Sequence, residues 1–303
     1  MPTIAWHGPI EHLFFHTLVI HPDLAFTQDR LGRGFADYFV TVDEFRTILD
    51  QLYTNGWTLV DIHRAVSGTA RVPVGRKPLV ISEDDVNYYR YEDGRGLASR
   101  LVLDATGAVM AEADGQVTDQ DVVPLIDEFV AAHPLFSADG AKGVLAVTGY
   151  EGLFGERVQD PTAAGYPSAA ARVKALAARL RTTGWTIASH SWGHIDLTRS
   201  GLALARRDTE RWLSEATPII GPTDVYVYPF GESPPLAVIA MLRDHGFAIL
   251  CDIDVVARSR NVLGVTVMSR RHIDGIAFRD QAANLVPFFS VAAVEDRAAR
   301  HLR

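Results

Sequence analysis

The chain has 303 residues, 48% of them hydrophobic and 22% charged, enough to bury one large core or two modest ones. Twenty-nine Lys and Arg against 37 Asp and Glu give a net charge of −8, and no window gathers the basic residues that phosphate neutralisation requires, so nucleic acid is not an expected partner. The longest largely apolar run, Leu13 to Ile20, falls far short of the roughly 20 residues of a membrane helix, and no membrane span is expected. With Cys251 the single cysteine, intramolecular disulfides and multi-cysteine zinc modules are excluded, and any metal must be held by His and carboxylates.

In chain order, Met1 to His7 lacks the basic region of a signal peptide and reads as a first strand, which leaves the compartment open. Thr41-Val42-Asp43-Glu44 has the form of a capping box ahead of Phe45, Ile48, Leu49 and Leu52, predicting a helix that stops at Gly56. The same joint, a Leu four residues before a Gly that an aromatic residue and an apolar run follow, recurs three times. It occurs at Leu52 to Gly56-Trp57, Leu180 to Gly184-Trp185 and Leu242 to Gly246-Phe247. Each predicts a helix, a left-handed glycine and a strand, with Ser168 and Ser233 as N-caps of the second and third helices. Pro78 to Ser82, Val144 to Thr148, Val225 to Tyr228 and Val265 to Met268 complete the expected strands. Near-continuous apolar strands alternating with helices predict a parallel sheet covered on its faces. Seven or eight of them in one chain favour an α/β fold of irregular (β/α) barrel type. No G-x-G-x-x-G follows a strand, which disfavours dinucleotide binding. Residues 97–113 read as an inserted β-hairpin turning at Asp104 to Gly107, and nothing suggests a second domain, so residues 1–303 are expected to form one unit.

In a parallel barrel the chemistry sits where strands end at their carboxyl edge. Those positions carry Glu83-Asp84-Asp85, His190-Ser191-Trp192-Gly193-His194, Pro229-Phe230-Gly231-Glu232 and Ser269-Arg270-Arg271-His272. Eleven histidines placed at random would give about 0.4 pairs at four-residue spacing, so the two pairs present are weak as spacing alone. Context separates them. His12 and His16 flank a strand-like run, where four residues span about 13 Å, too far for one metal. His190 and His194 bracket a turn or first helical turn, where Cβ atoms come within about 5 to 6 Å. Three consecutive carboxylates repel one another unless a cation intervenes. One Asp with two His would hold a divalent metal with positions open for water, and the other Asp would suit a general base. A solvated His pair and an Asx-type turn are the alternatives. Cys251-Asp252-Ile253-Asp254 ends another strand, where a carboxylate could fix a histidine tautomer or merely form a surface turn. His12, His63, His133, His245 and His301 need no role beyond surface or helix-end positions, while His7, His16 and His21 stay open.

Ser82-Glu83-Asp84-Asp85 and His190-Ser191-Trp192-Gly193-His194 resemble the first two motifs of the polysaccharide deacetylase family, carbohydrate esterase family 4, in order and separation. Tyr228-Pro229-Phe230-Gly231 is similar to the third. The resemblance spans roughly residues 78 to 275 and implies an irregular (β/α) barrel, a zinc-type metal and hydrolysis of an N-acetyl or O-acetyl group on an acetylated carbohydrate. Carried over residue by residue, it makes Asp84 the general base and Asp85, His190 and His194 the metal ligands. His272 becomes a candidate general acid, and Pro229 and Phe230 of the third motif would line the substrate groove. Independently of the resemblance, Tyr88, Tyr89, Tyr91, Trp192, Tyr228 and Phe230 lie close to the proposed site in sequence and could serve as sugar platforms; Trp192 and Phe230 are the expected groove residues, the tyrosines stay open, and Arg271 is a further substrate-side candidate. Several positions depart from the pattern. Glu83 stands where an aromatic residue is usual, Val86 replaces a glycine, and Val227 replaces an arginine before the third motif, so that Arg270 or Arg271 could orient a carboxylate instead. A small amide or cyclic imide substrate, and a non-catalytic carbohydrate-binding role, remain alternatives.

Overall fold

The computed structural model describes residues 2–300; His301 lies outside them. Seven strands close into a parallel barrel: β1 (Glu11–Phe15), β2 (Lys77–Glu83), β3 (Gly143–Val147), β4 (Trp185–Ser189), β5 (Val225–Val227), β6 (Ile249–Ile253) and β7 (Val265–His272). Each strand pairs with the next in sequence, and β7 returns to β1 through Arg271↔Leu13 and His272↔Phe14. An eighth strand, Trp57–Leu59, pairs with β2 outside the ring, and Ser259–Val262 runs antiparallel to β7. The expected (β/α) barrel is therefore present.

Strand alternation sorts the side chains. Val80, Ala146, Ala188, Val227, Cys251 and Met268 fill the barrel interior, while Ile81, Leu145, Ile187, Tyr226, Leu250 and Val267 pack outward into the core shared with the helices. His12 belongs to the interior set: it is 1% exposed and its Nε2 meets Ser82 Oγ at 2.9 Å, so the surface position expected for it is corrected. The N-terminal strand Thr3–Ala5 forms, but pairs antiparallel with Arg71–Pro73 and takes no place in the barrel.

All three helix-to-strand joints form, with Gly56, Gly184 and Gly246 at φ of 80°, 100° and 95°. Gly184 tolerates no side chain, because a Cβ there would lie 1.9 Å from the Gly140 carbonyl oxygen. The capping box is complete: Glu44 N–H donates to Thr41 Oγ1 and Thr41 N–H donates to Glu44 Oε2. Ser168 and Ser233 do not cap. Helix Tyr166–Thr182 starts behind Gly165 with a proline in its first turn, and helix Leu236–Asp244 starts behind Pro235, with Ser233 drawn away to donate to Asp252. The inserted hairpin (Arg100–Leu103, Val109–Ala113) is extended by a third antiparallel strand, Gln116–Thr118. None of the described helices is long and apolar enough to cross a membrane.

Candidate active site

The carboxyl ends of the strands open into a cleft of about 410 Å³. Asp84, Asp85, His190, His194, His272, His16 and Phe230 are among the residues that line it. At the end of β2 the chain passes from strand into a left-handed residue, Asp85, at φ 59°. This separates neighbours that strand alternation already aims apart. Glu83 turns outward into the core, Asp84 turns inward to the barrel mouth, and Asp85 faces the histidine loop. His194 and Ser191 also have positive φ, so the loop carrying the two histidines is an irregular bend and not the first turn of a helix. The cause is Asp208 on helix Gly201–Glu215, whose carboxylate accepts the Trp192 and Gly193 amides at 2.8 and 2.7 Å and holds the loop open. Left-handed conformations at three non-glycine residues of one site are unfavourable locally and persist only where surrounding contacts impose them.

His190 is buried, and its Nδ1–H donates to the Val227 carbonyl at 2.9 Å, which leaves Nε2 as a lone-pair donor toward the cleft. Asp85 Oδ1 lies 3.8 Å from His190 Nε2 and 3.6 Å from His194 Nε2. One ligand atom from each of Asp85, His190 and His194 falls within 4.8 Å of the others. Two imidazole nitrogens and one carboxylate oxygen are the donor set of a hydrolytic divalent cation site with open positions, and these residues fit such an ion. Tyr89 donates its hydroxyl to Asp85 Oδ1 at 2.6 Å and so orients the carboxylate.

Asp84 is clamped by Arg270, with Nη1 to Oδ1 at 2.6 Å and Nη2 to Oδ2 at 3.0 Å, both side chains being buried. Burial alone would push the Asp84 carboxyl up. The Arg270 guanidinium, aided by His190, outweighs burial and brings it down to about 2, so the group is ionised throughout the physiological range. Arg270 thus fills the orienting role left vacant at Val227. It also lies over the Phe14 ring at 4.2 Å.

Outside this centre, the placement of the expected residues varies. Phe230, at φ 63° and 63% exposed, stands at the rim with its ring 4.8 Å from that of His194. Pro229 is buried beneath it and makes the turn. Gly231 is required there because a Cβ would come within 2.1 Å of Ile253. Trp192 does not line the cleft: its indole donates to Glu215 and lies under the Arg211 guanidinium. Arg271 does not either. The Ser269 to His272 segment continues strand β7 instead of following it, so Arg270 points in and Arg271 points out, toward Phe288 and Glu11. Asp252 pairs with Arg260 at 2.6 Å and serves no histidine. His272 lines the cleft with its Nδ1–H donating to Asp274 at 2.8 Å.

Sequence reasoning left His16 open, placed Tyr89 near the site without a role, and did not find Asp208 or Asp274 as partners of the site. Glu83 is fully buried, and neither of its oxygens has a hydrogen-bond partner. Burial pushes its carboxyl well above the usual range, helped by Asp121 and Asp84.

With the barrel and its cleft described, the fold is one that the chain shares with solved deacetylase structures. No family model matches the chain, and no curated protein matches it. Among solved structures it is similar to the Streptococcus pyogenes deacetylase PplD in complex with acetate, at 14% identity and TM-score 0.55 over 88% of this chain and 93% of that one. It is also similar to a de-N-acetylase from Aggregatibacter actinomycetemcomitans, at 14% identity and TM-score 0.54 over 93% of this chain and 100% of that one.

Proposed function

We propose that this protein is a metal-dependent hydrolase that removes the acetyl group from an N-acetylated carbohydrate, with zinc as the cation. The observation that carries this reading is the convergence of Asp85, His190 and His194 within 4.8 Å, beside a buried carboxylate that Arg270 holds ionised. The fold shared with two solved deacetylases supports the same chemistry. When bound, the cation supplies Lewis acidity toward an acyl oxygen and makes water a nucleophile near neutral pH. Asp84 accepts the proton that the attacking water loses, and the bidentate arginine keeps its lone pairs in a fixed direction during that transfer. Phe230 and Tyr91, both exposed at the rim, offer apolar faces against which a sugar ring can stack. The departing nitrogen needs a proton, and the cleft holds two imidazoles outside the donor set, His16 and His272.

The test is acetate release from N-acetylglucosamine oligomers, together with elemental analysis of the same preparations. Asp84→Asn should keep its metal and lose activity by about 10²- to 10⁴-fold. His194→Ala should lose both metal and activity. An Asp84→Asn protein that releases acetate at the parental rate contradicts the base assignment.

A further inference from the structure

We propose that Tyr38 is a sugar-binding residue of the cleft and that Arg300, far from it in sequence, is the residue that positions it. The assignment rests on the acetyl-amide reading above and deepens it by naming what fixes the substrate wall.

Tyr38 ends helix Arg30–Tyr38 and, with Phe39, lines the cleft that holds Asp84 and Asp85. Phe39 is buried against Phe35 and the His16 ring, at centroid separations of 5.2 and 5.5 Å. Tyr38 is instead 52% exposed, and among the described residues nothing bonds its hydroxyl or stacks on its ring. An exposed phenol at a cleft mouth offers a flat apolar face and a polar tip, the two features that a sugar ring with its hydroxyls can engage. Where that ring stands depends on the backbone beneath it.

A helix end leaves its last carbonyls without intrahelical partners. Here Arg300 fills two of them, Nη1 donating to the Ala36 carbonyl at 2.6 Å and Nη2 to the Phe39 carbonyl at 2.7 Å, on either side of Tyr38. The other edge of the guanidinium is held by Glu44, with Nε to Oε1 at 2.8 Å and Nη2 to Oε2 at 2.6 Å. Glu44 also accepts the Thr41 and Asp296 amides, and both members of the ion pair are buried. The planar fork has fixed donor directions, so the carbonyls cannot shift without disturbing a buried pair. Helix Gly275–Asp280 closes the remaining side: a Cβ on Gly275 would lie 1.9 Å from the Ala36 carbonyl oxygen. Glu44 alone would neutralise the guanidinium; the two carbonyl bonds are what tie it to the cleft wall. A wall that meets the sugar equally in ground and transition states alters KM and leaves kcat, because it takes no part in bond making or breaking.

The experiment is a double-mutant cycle read in kinetic constants for acetate release from an N-acetylglucosamine oligomer. Tyr38→Ala and Arg300→Met should each raise KM about 10-fold while kcat stays within about 3-fold and the metal content is unchanged. The Tyr38→Ala/Arg300→Met protein should also stand about 10-fold above the parent, whereas independent effects would multiply to about 100-fold. Glu44→Gln/Arg300→Met, which leaves no unpaired charge behind, should match Arg300→Met. The assignment is overturned if Tyr38→Ala keeps the parental KM, if the two losses multiply, or if the Arg300 variants lose kcat. It is equally overturned if both Arg300 variants fail to fold, since the arginine is then a structural anchor only. A parent that releases no acetate from the oligomer overturns the acetyl-amide reading and this assignment with it; an active parent whose Tyr38 and Arg300 variants keep their KM overturns this assignment alone.

Discussion

Asp84 and Arg270 are two buried, opposite charges that satisfy each other through two hydrogen bonds. Such a pair contributes little net stability, yet removing one member leaves an isolated charge in a site that water cannot fully solvate. Arg270→Met should therefore destabilise the protein by about 3–5 kcal/mol in urea unfolding and abolish acetate release. Asp84→Leu/Arg270→Met should recover most of the stability and none of the activity. A single Arg270→Met protein as stable as its parent would contradict the clamp. At this scale the sequence exposed the acids and the histidine pair, since their residue types and strand-end positions are written in the chain. It did not reveal which of Arg270 and Arg271 faces inward, because that depends on whether β7 ends before or after them. His16 and Tyr89 were left without a role for a related reason: their placement comes from ring orientation and from partners such as Tyr38 and Thr148, remote in sequence.

Among the elements, the glycine joints and the Thr41 capping box were legible because each is a local device whose residues lie within a few positions of one another. Thr41→Ala should cost about 1 kcal/mol in a chemical unfolding measurement, and an unchanged midpoint would argue against the cap. The histidine bend was not legible, because an aspartate on the following helix shapes it. Element docking also sets a pH dependence. His63, on helix Ile62–Val66, bridges Asp224 ahead of β5 (2.8 Å) and Asp61 (3.5 Å), and these hydrogen bonds push its imidazole up to about 10 despite burial. A folded-state value above the unfolded one of about 6.5 means that the native protein binds the proton more tightly. The resulting stabilisation is full below pH about 6.5 and fades as the pH rises toward 10. His63 is half-exposed, so solvent screening limits the effect to about 1 kcal/mol or less. Unfolding curves of the parent and His63→Gln should differ at pH 6 and converge near pH 10, whereas a constant difference would sink the ion-bridge explanation.

For the whole molecule, a closed parallel barrel follows from the alternation of apolar strands and helices, and its closure makes the strand ends a single cleft. The chain order of the strands around the ring brings Asp84 and Asp85 from β2, the histidines after β4 and Arg270 from β7 to one mouth. What the alternation alone could not supply was the arrangement inside that mouth. Three residues in left-handed conformations, and caps and clamps from elements remote in sequence, decide which nitrogen and oxygen atoms meet there. The central claim, a cation held by Asp85, His190 and His194 that makes this cleft hydrolyse acetyl amides, is met most directly by metal removal and add-back. Purified protein, stripped with a chelator and reloaded with zinc, is assayed for acetate released from N-acetylglucosamine oligomers. The expected result is loss of activity on stripping, recovery with zinc, and no recovery in His194→Ala; acetate release that survives complete metal removal, or none from the zinc-loaded parent, would contradict it.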